Sequence, residues 1–270
     1  MNYIQSNKEA WEEAFEHRTP GWCEDIIKRL NEEEFPFIQK ELFNQLKEIN
    51  LTNKTIAQFC CNNGRELLSI MKFGAKQGMG FDIAENMVAW ANDIAVKTNS
   101  NCSFITNNIL DIDNSYHNRF DFIFFTIGAI TWFQDLNLLF KKVSLCLKEG
   151  GKLLINDMHP VTNMLAFEKE DNYCENAPNK LVNSYFKKEP WVENSGMGYM
   201  SNEIYNSKTF YSYSHTFSSI INSLSDNHLR ILNMQEFQHD LSGSLTYLDN
   251  KGIPLSYLLT AMKISSANLD

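Results

Sequence analysis

Apolar positions along this chain change spacing several times, and each change marks an element. Over residues 6–17 they recur at helical spacing, with Trp11, Ala14 and Phe15 on one face and Ser6 or Asn7 placed to cap. Thr19-Pro20-Gly21 breaks that pattern, and a second helical region spans about 23–49, interrupted near Pro36. From residue 55 the chain reads as short apolar runs separated by helical stripes. The runs cover 55–61, 78–83, 102–106, 120–126 and 152–158. The stripes cover about 64–73, 85–97 and 135–148; Gly74 stops the first and Gly150-Gly151 the last. Beyond Asp121 the run 120–126 is apolar up to Thr126, as a central parallel strand requires.

Repeated strand–helix units predict an α/β protein with a doubly wound, mostly parallel sheet and right-handed crossovers. After residue 160 the alternation stalls. Residues 160–212 hold Phe167, Tyr173, Tyr185, Phe186, Trp191, Tyr199, Tyr205, Phe210 and Tyr211 among turn residues, with little periodicity. A segment of that length is too long for a plain connection and reads as an insertion or lid. A helix resumes at about 214–226, with Phe217, Ile220, Ile221 and Leu224 inward. A sixth strand follows at 229–237, and a seventh at 254–263 comes without an intervening helix, so it is expected to run antiparallel. The chain divides accordingly into an N-terminal helical cap (1–50), an α/β core (51–159), the aromatic-rich insertion (160–212) and a segment completing the sheet (213–270).

Composition narrows the function classes. Hydrophobic residues make up 43% and charged residues 21% of 270, which suits a globular protein with a real core. The net charge of -9, from 33 acidic and 24 basic residues, repels phosphate backbones, so a nucleic-acid partner is not expected. The longest uncharged apolar run, Phe122–Phe133, is too short to span a bilayer, and the N-terminus has no apolar signal core. The chain is expected to be soluble, cytoplasmic, and a monomer or homodimer, with no membrane partner. The six cysteines show no C-x-x-C spacing and read as reduced thiols, not as a zinc or disulfide framework.

The most informative stretch is Thr55–Leu68. A buried strand gives way to Asn62-Asn63-Gly64 and then to a helix start, which places backbone N–H groups at the carboxyl edge of the sheet. In open α/β sheets ligands bind at that edge. Asp82 ends the second strand about twenty residues later, where an acid can accept from both hydroxyls of a ribose; the plainer reading is a helix cap or a solvated charge.

With these residues in place the chain resembles the class I S-adenosylmethionine-dependent methyltransferases, over about 50–160 and more loosely over 214–263. Gln58 takes the position of that family's first-strand acid. Cys60 and Asn62 stand where the first two glycines of its Gly-x-Gly-x-Gly turn are expected, and Gly64 remains. Asp82 matches the ribose-binding acid, Ile83 and Met87 the apolar residues beside the adenine, and Asn108-Ile109 the pair that reads the adenine edge. Asp121, Thr126-Ile127-Gly128 and Lys148-Glu149-Gly150-Gly151 match later motifs, and the antiparallel seventh strand is a family signature. The resemblance implies a Rossmann-like methyltransferase fold, S-adenosylmethionine as cofactor and a small-molecule substrate. It implies that the cofactor is held by Phe59, Cys60, Cys61, Asn62, Gly64, Asp82, Ile83, Met87, Asn108, Ile109, Leu110, Thr126, Gly128 and Trp132, and it implies no metal ligand.

Methyl transfer needs alignment of a nucleophile with the sulfonium methyl and, for some substrates, a base. His159, at the carboxyl end of strand five and followed by Pro160, is the catalytic candidate, against the plainer reading of a histidine satisfied by local backbone; His215 is a weaker one. Trp11, Trp132, Phe133 and Trp191 are candidates for packing on adenine or facing the sulfonium, or for ordinary lid packing. Asp171, Glu175, Glu189 and Glu193 would favour a cationic substrate, though solvated surface charge is the plainer account of each. The altered turn keeps open a non-catalytic S-adenosylmethionine- or nucleoside-binding regulatory protein on the same fold. A nicotinamide oxidoreductase fits the early β–α–β unit but not the seventh strand.

Overall fold

Three helices come first in the chain, and their positions follow from what they cover. The computed structural model describes residues 2–168, 170 and 172–265; Asp171 lies outside them. Helix α1 (Tyr3–Glu16) buries Ala10, Ala14 and Phe15, and is followed by α2 (Ile26–Glu32) and α3 (Lys40–Ile49). The core then alternates: β1 (Thr55–Phe59), α4 (Arg65–Ile70), β2 (Gln77–Asp82), α5 (Glu85–Lys97), β3 (Cys102–Thr106), β4 (Phe120–Phe125), α6 (Leu136–Cys146) and β5 (Leu147–Met158). The insertion contributes β6 (Trp191–Glu193), the single turn α7 (Gly198–Ser201) and β7 (Phe210–Ser212). Helix α8 (Phe217–Asp226), β8 (Leu229–Phe237) and β9 (Ser256–Lys263) complete the order.

The seven-stranded sheet runs β3-β2-β1-β4-β5-β9-β8. Strands β1 to β5 pair in parallel, and β9 lies antiparallel between β5 and β8. Alternating side chains of the central strands feed two cores. Ile123 and Phe125 of β4 pack with Leu139, Phe140 and Val143 of α6 on one face. Phe122 and Phe124 pack on the other with Leu46, Leu67 and Ile94. Strand order reverses at β1, which has β2 on one side and β4 on the other. That switch point opens a crevice at the carboxyl ends of β1 and β4.

A third cluster decides what closes this crevice. Ala10, Ala14 and Phe15 of α1 pack on Ala84 and Met87 beneath, and on Met200 and Phe210 of the insertion. The N-terminal helix and the insertion therefore share one apolar seam above the carboxyl edge. β6 and β7 form a separate antiparallel hairpin there.

Some boundaries differ from the sequence reading. Asn2, not Ser6 or Asn7, caps α1, accepting from the Ile4 N–H. Ser6 and Asn7 lie inside the helix, where β7 and the residue before it bond them: Ser6 Oγ donates to the Thr209 carbonyl, and Asn7 exchanges two hydrogen bonds with the backbone of Tyr211 at 2.7 and 2.9 Å. Helix α6 ends at Cys146, before Gly150-Gly151. These glycines sit within β5, where Gly150 takes φ +71 and the pairing with β4 shifts register. The hairpin β6–β7 escaped prediction because three-residue strands carry no legible alternation.

Asn7 is buried, and removing its amide strands both backbone groups of Tyr211. Asn7→Ala is expected to cost about 2–3 kcal/mol, read as a lowered urea midpoint, with earlier hydrogen exchange in α1 and β7 than in the central sheet.

Candidate active site

The turn after β1 keeps the shape of a glycine-rich turn with only the last of its glycines. Cys60, Asn62 and Gly64 all have positive φ, at 57°, 49° and 76°. Asparagine adopts this conformation at low cost; cysteine does so only under constraint. The constraint is a set of hydrogen bonds. The Cys61 N–H donates to the Phe81 carbonyl at 3.0 Å, the Gly64 N–H to the Cys61 carbonyl at 2.9 Å, and the Asn62 N–H to Asp82 Oδ2 at 2.7 Å. Gly64 alone is indispensable for space: a Cβ there would stand 2.4 Å from the Phe104 ring and 3.1 Å from the Ala91 Cβ.

Above this turn lies a cavity of about 750 Å³, within the range of small-molecule sites. Cys60, Cys61, Asn62, Asp82, Ile83, Asn108, Ile109, Leu110, Thr126, Gly128 and Trp132 all line it. Phe59, Gly64 and Met87 do not. The Phe59 side chain points into the sheet core against Phe81 and Phe125. Gly64 is covered by Phe104, and Met87 belongs to the seam under α1.

His159 is also absent from the cavity wall, which corrects its reading as a catalytic base. Its Nδ1 accepts from the Val161 N–H at 3.0 Å, capping a 3-10 turn, and its Nε2 lies 2.8 Å from Glu236 Oε1. The ring packs edge-on against Phe217, and burial lowers its proton affinity against the pull of Glu236. Both ring nitrogens are engaged in holding the strand exit. His215 likewise bonds the Phe133 carbonyl at 2.9 Å while Thr216 caps α8.

Several lining residues lie outside the set that the resemblance implied would hold the cofactor. Tyr3, Ile4 and Asn7 come from α1; Trp11 of the same helix meets Trp132 edge-on at 5.2 Å. Asn107 lines the cavity with a buried Oδ1 that has no partner among the described residues. Gln58 lines the floor; its Nε2 donates to Thr126 Oγ1 at 3.0 Å, and its Oε1 is buried and unpaired. Gly196, Met197, Gly198 and Tyr199 of the insertion close the opposite side. Tyr199 sits 3.4 Å from Asn62 Nδ2, so the insertion touches the turn directly. A second cavity of about 550 Å³ adjoins, sharing Arg65, Glu66, Thr126, Ile127 and Leu241 with the first.

Charge in the cavity is sparse and mostly negative. Arg65 is the single Lys or Arg on its wall among the described residues, and Glu66 holds it at 2.8 Å. Asp82, Glu168 and Glu193 also line it. Burial raises the Asp82 carboxyl, while the amides of Ala84 and Asn62 oppose that rise. Two backbone N–H groups occupy part of its acceptor capacity; a carboxylate has about four lone-pair sites, so room remains for ligand hydroxyls. Among the described residues no His, Cys, Asp or Glu group of three converges as metal ligands, and no helix is long and apolar enough to cross a membrane.

A reversed strand order, a cavity over the switch point, an acid closing β2 and an antiparallel final strand define a transferase core built for a nucleoside-bearing donor. Residues 52–211 match the family model described as a methyltransferase domain, and the chain belongs to that family. Its fold is the Rossmann-like fold of class I S-adenosylmethionine-dependent methyltransferases. It is similar to a Listeria monocytogenes protein assigned as an S-adenosylmethionine dependent methyltransferase, with 22% identity over 83% of this chain and 98% of that one and a TM-score of 0.63. It is similar to such a methyltransferase from Mesorhizobium loti at 16% identity, covering 86% and 99%, with a TM-score of 0.59. It is also similar to geranyl diphosphate C-methyltransferase of Streptomyces coelicolor A3(2), at 11% identity over 98% of each chain and a TM-score of 0.57. The search of curated proteins gave no match.

The turn geometry predicts an asymmetry. Gly64→Ala is expected to destabilise by about 2–4 kcal/mol, from left-handed strain plus overpacking on Phe104. Cys60→Gly relieves strain but loosens the unfolded chain, and is expected to stay within about 1 kcal/mol of wild type. Chemical denaturation of both variants measures the contrast.

Proposed function

We propose that the protein is a methyltransferase that uses S-adenosylmethionine to methylate a small molecule. The observation that carries this reading is the Asp82-clamped turn at the floor of a cavity roofed by α1 and the insertion. The residues present suit that cofactor. Asp82 has free acceptor capacity for ribose hydroxyls, and the unpaired Asn107 Oδ1 is an acceptor for a polar hydrogen of the base. Asn108, by contrast, already spends its side chain on the Leu110 N–H and on Asp111. Ile83, Ile109 and Leu110 supply apolar surface beside the base. The unpaired Gln58 Oε1 is an acceptor for the cofactor's ammonium.

When bound, the cofactor supplies the electrophilic methyl group. The protein's part is alignment and exclusion of water. Trp11, Trp132 and Phe133 give the acceptor space an aromatic wall, and Tyr199 closes it over Asn62. Aromatic faces also suit a sulfonium neighbour. Support for a small acceptor comes from the covering elements: α1 and the insertion both contribute residues to the cavity wall. The acidic balance of the wall, with Arg65 already paired, disfavours a diphosphate substrate like that of the Streptomyces enzyme.

Asp82→Ala is expected to weaken binding of S-adenosylhomocysteine by about ten- to a hundredfold through lost charge-assisted hydrogen bonds. Isothermal titration measures it. Absence of any binding to the wild type at millimolar ligand contradicts the proposed cofactor, and unchanged affinity in the variant contradicts the role of Asp82.

A further inference from the structure

Asp157 is a buried carboxylate that the scheme above leaves unused. It lies near the end of β5, 4% exposed. Its Oδ1 accepts from the Gly128 N–H at 2.5 Å and the Met158 N–H at 2.8 Å. Its Oδ2 is buried with no hydrogen-bond partner among the described residues. Tyr257, its cross-strand partner on β9, is fully buried with an equally unpartnered hydroxyl. A half-satisfied buried carboxylate is costly, and its presence in a fold calls for a reason.

The reason lies in what Asp157 sits beneath. Gly128 and Met158, the residues whose amides it holds, both line the cavity. Cys60, in the turn after β1, lies within reach of its charge. The nearby end of β1 offers only the neutral Gln58. S-adenosylmethionine carries a positive sulfur that S-adenosylhomocysteine lacks.

We propose that Asp157 is a positioning residue that holds the Gly128 loop against the cavity and makes the site prefer the sulfonium donor over the thioether product. This rests on the S-adenosylmethionine reading. A negative charge fixed under the loop favours the sulfonium over the uncharged thioether. The preference is therefore tied to the charge state of Asp157. Burial raises this carboxyl to about 6, chiefly against the pull of the Gly128 and Met158 amides. Tyr257 on β9 and Cys60 on the turn face it; burial pushes both well up, so they stay neutral through that range. Asp82 on β2 is raised by burial, and His159, bonded to Glu236 of β8, is lowered by it. An Asp157 variant therefore isolates its contribution from theirs.

The experiment measures dissociation constants of S-adenosylmethionine and S-adenosylhomocysteine by calorimetry from pH 5 to 8. It uses wild type, Asp157→Asn and the double variant Asp157→Asn with Gln58→Glu. In wild type the preference for the sulfonium is expected to grow by about three- to tenfold as pH rises. Asp157→Asn flattens that dependence, and Gln58→Glu restores part of the preference by returning a charge to the floor. The stability sign gives an independent check. A carboxyl raised by burial costs stability above its folded value and costs nothing once protonated, so Asp157→Asn is expected to melt higher than wild type at pH 8, with the gap closing toward pH 4. Two outcomes overturn the proposal: a wild-type preference that is flat with pH while both ligands bind, or a preference unchanged in Asp157→Asn. Failure of the wild type to bind either ligand overturns the cofactor reading itself, and is distinguishable from both.

Discussion

The hydrogen bond from the Asn62 amide to the Asp82 carboxylate joins the two elements on which the site depends. It ties the turn after β1 to the end of β2 at 2.7 Å. Cysteine at φ 57° is a strained choice, and it persists only where the surroundings over-determine the backbone. Here the Phe81 carbonyl and the Asp82 carboxylate receive two successive amides of the turn. The same carboxylate then presents its remaining lone pairs to the cavity. One side chain therefore both shapes the cradle and lines the cavity above it.

Everything above the turn is positioned relative to it. The β-sheet supplies the switch point, and α1 with the insertion supplies the roof. Their shared seam of Ala10, Ala14, Phe15, Met200 and Phe210 welds two segments far apart in sequence. Asn7 adds a pair of bonds to Tyr211 that mimics strand pairing from within a helix. Apolar packing thus holds the roof over the cavity, while Gln58, Asn107 and Asp82 line its floor with Asp157 buried nearby.

Much of this was legible in the sequence. Strand β3, helix α5 and strand β8 were read with their observed limits because their periodicity is clean and their flanks carry turn residues. The antiparallel position of β9 followed from a missing helix. The places of Asp82 and Asn62 at the carboxyl edge were legible because their spacing follows from the strand–turn–helix unit. What escaped did so for physical reasons. His159 looked available at a strand exit, but its partner Glu236 lies 77 residues away on β8, a contact no local pattern encodes. Met87 sits at the right helical offset, yet α1 covers it. Asn107 lacked any mark separating it from Asn108, and the side-chain roles of the two differ only through the 3-10 turn that Asn108 caps. Asp157 read as part of a strand; its bond to the Gly128 amide depends on the loop after β4 folding across it.

The most direct measurement of the central claim is a crystal structure of the protein grown with S-adenosylhomocysteine. The account predicts the nucleoside across the carboxyl edge of β1 and β2, with its ribose hydroxyls on Asp82 and its base between Ile83 and the Asn107–Leu110 loop. A ligand bound away from that edge, or a cavity still empty at saturating ligand with the Asn62–Asp82 bond intact, would contradict it.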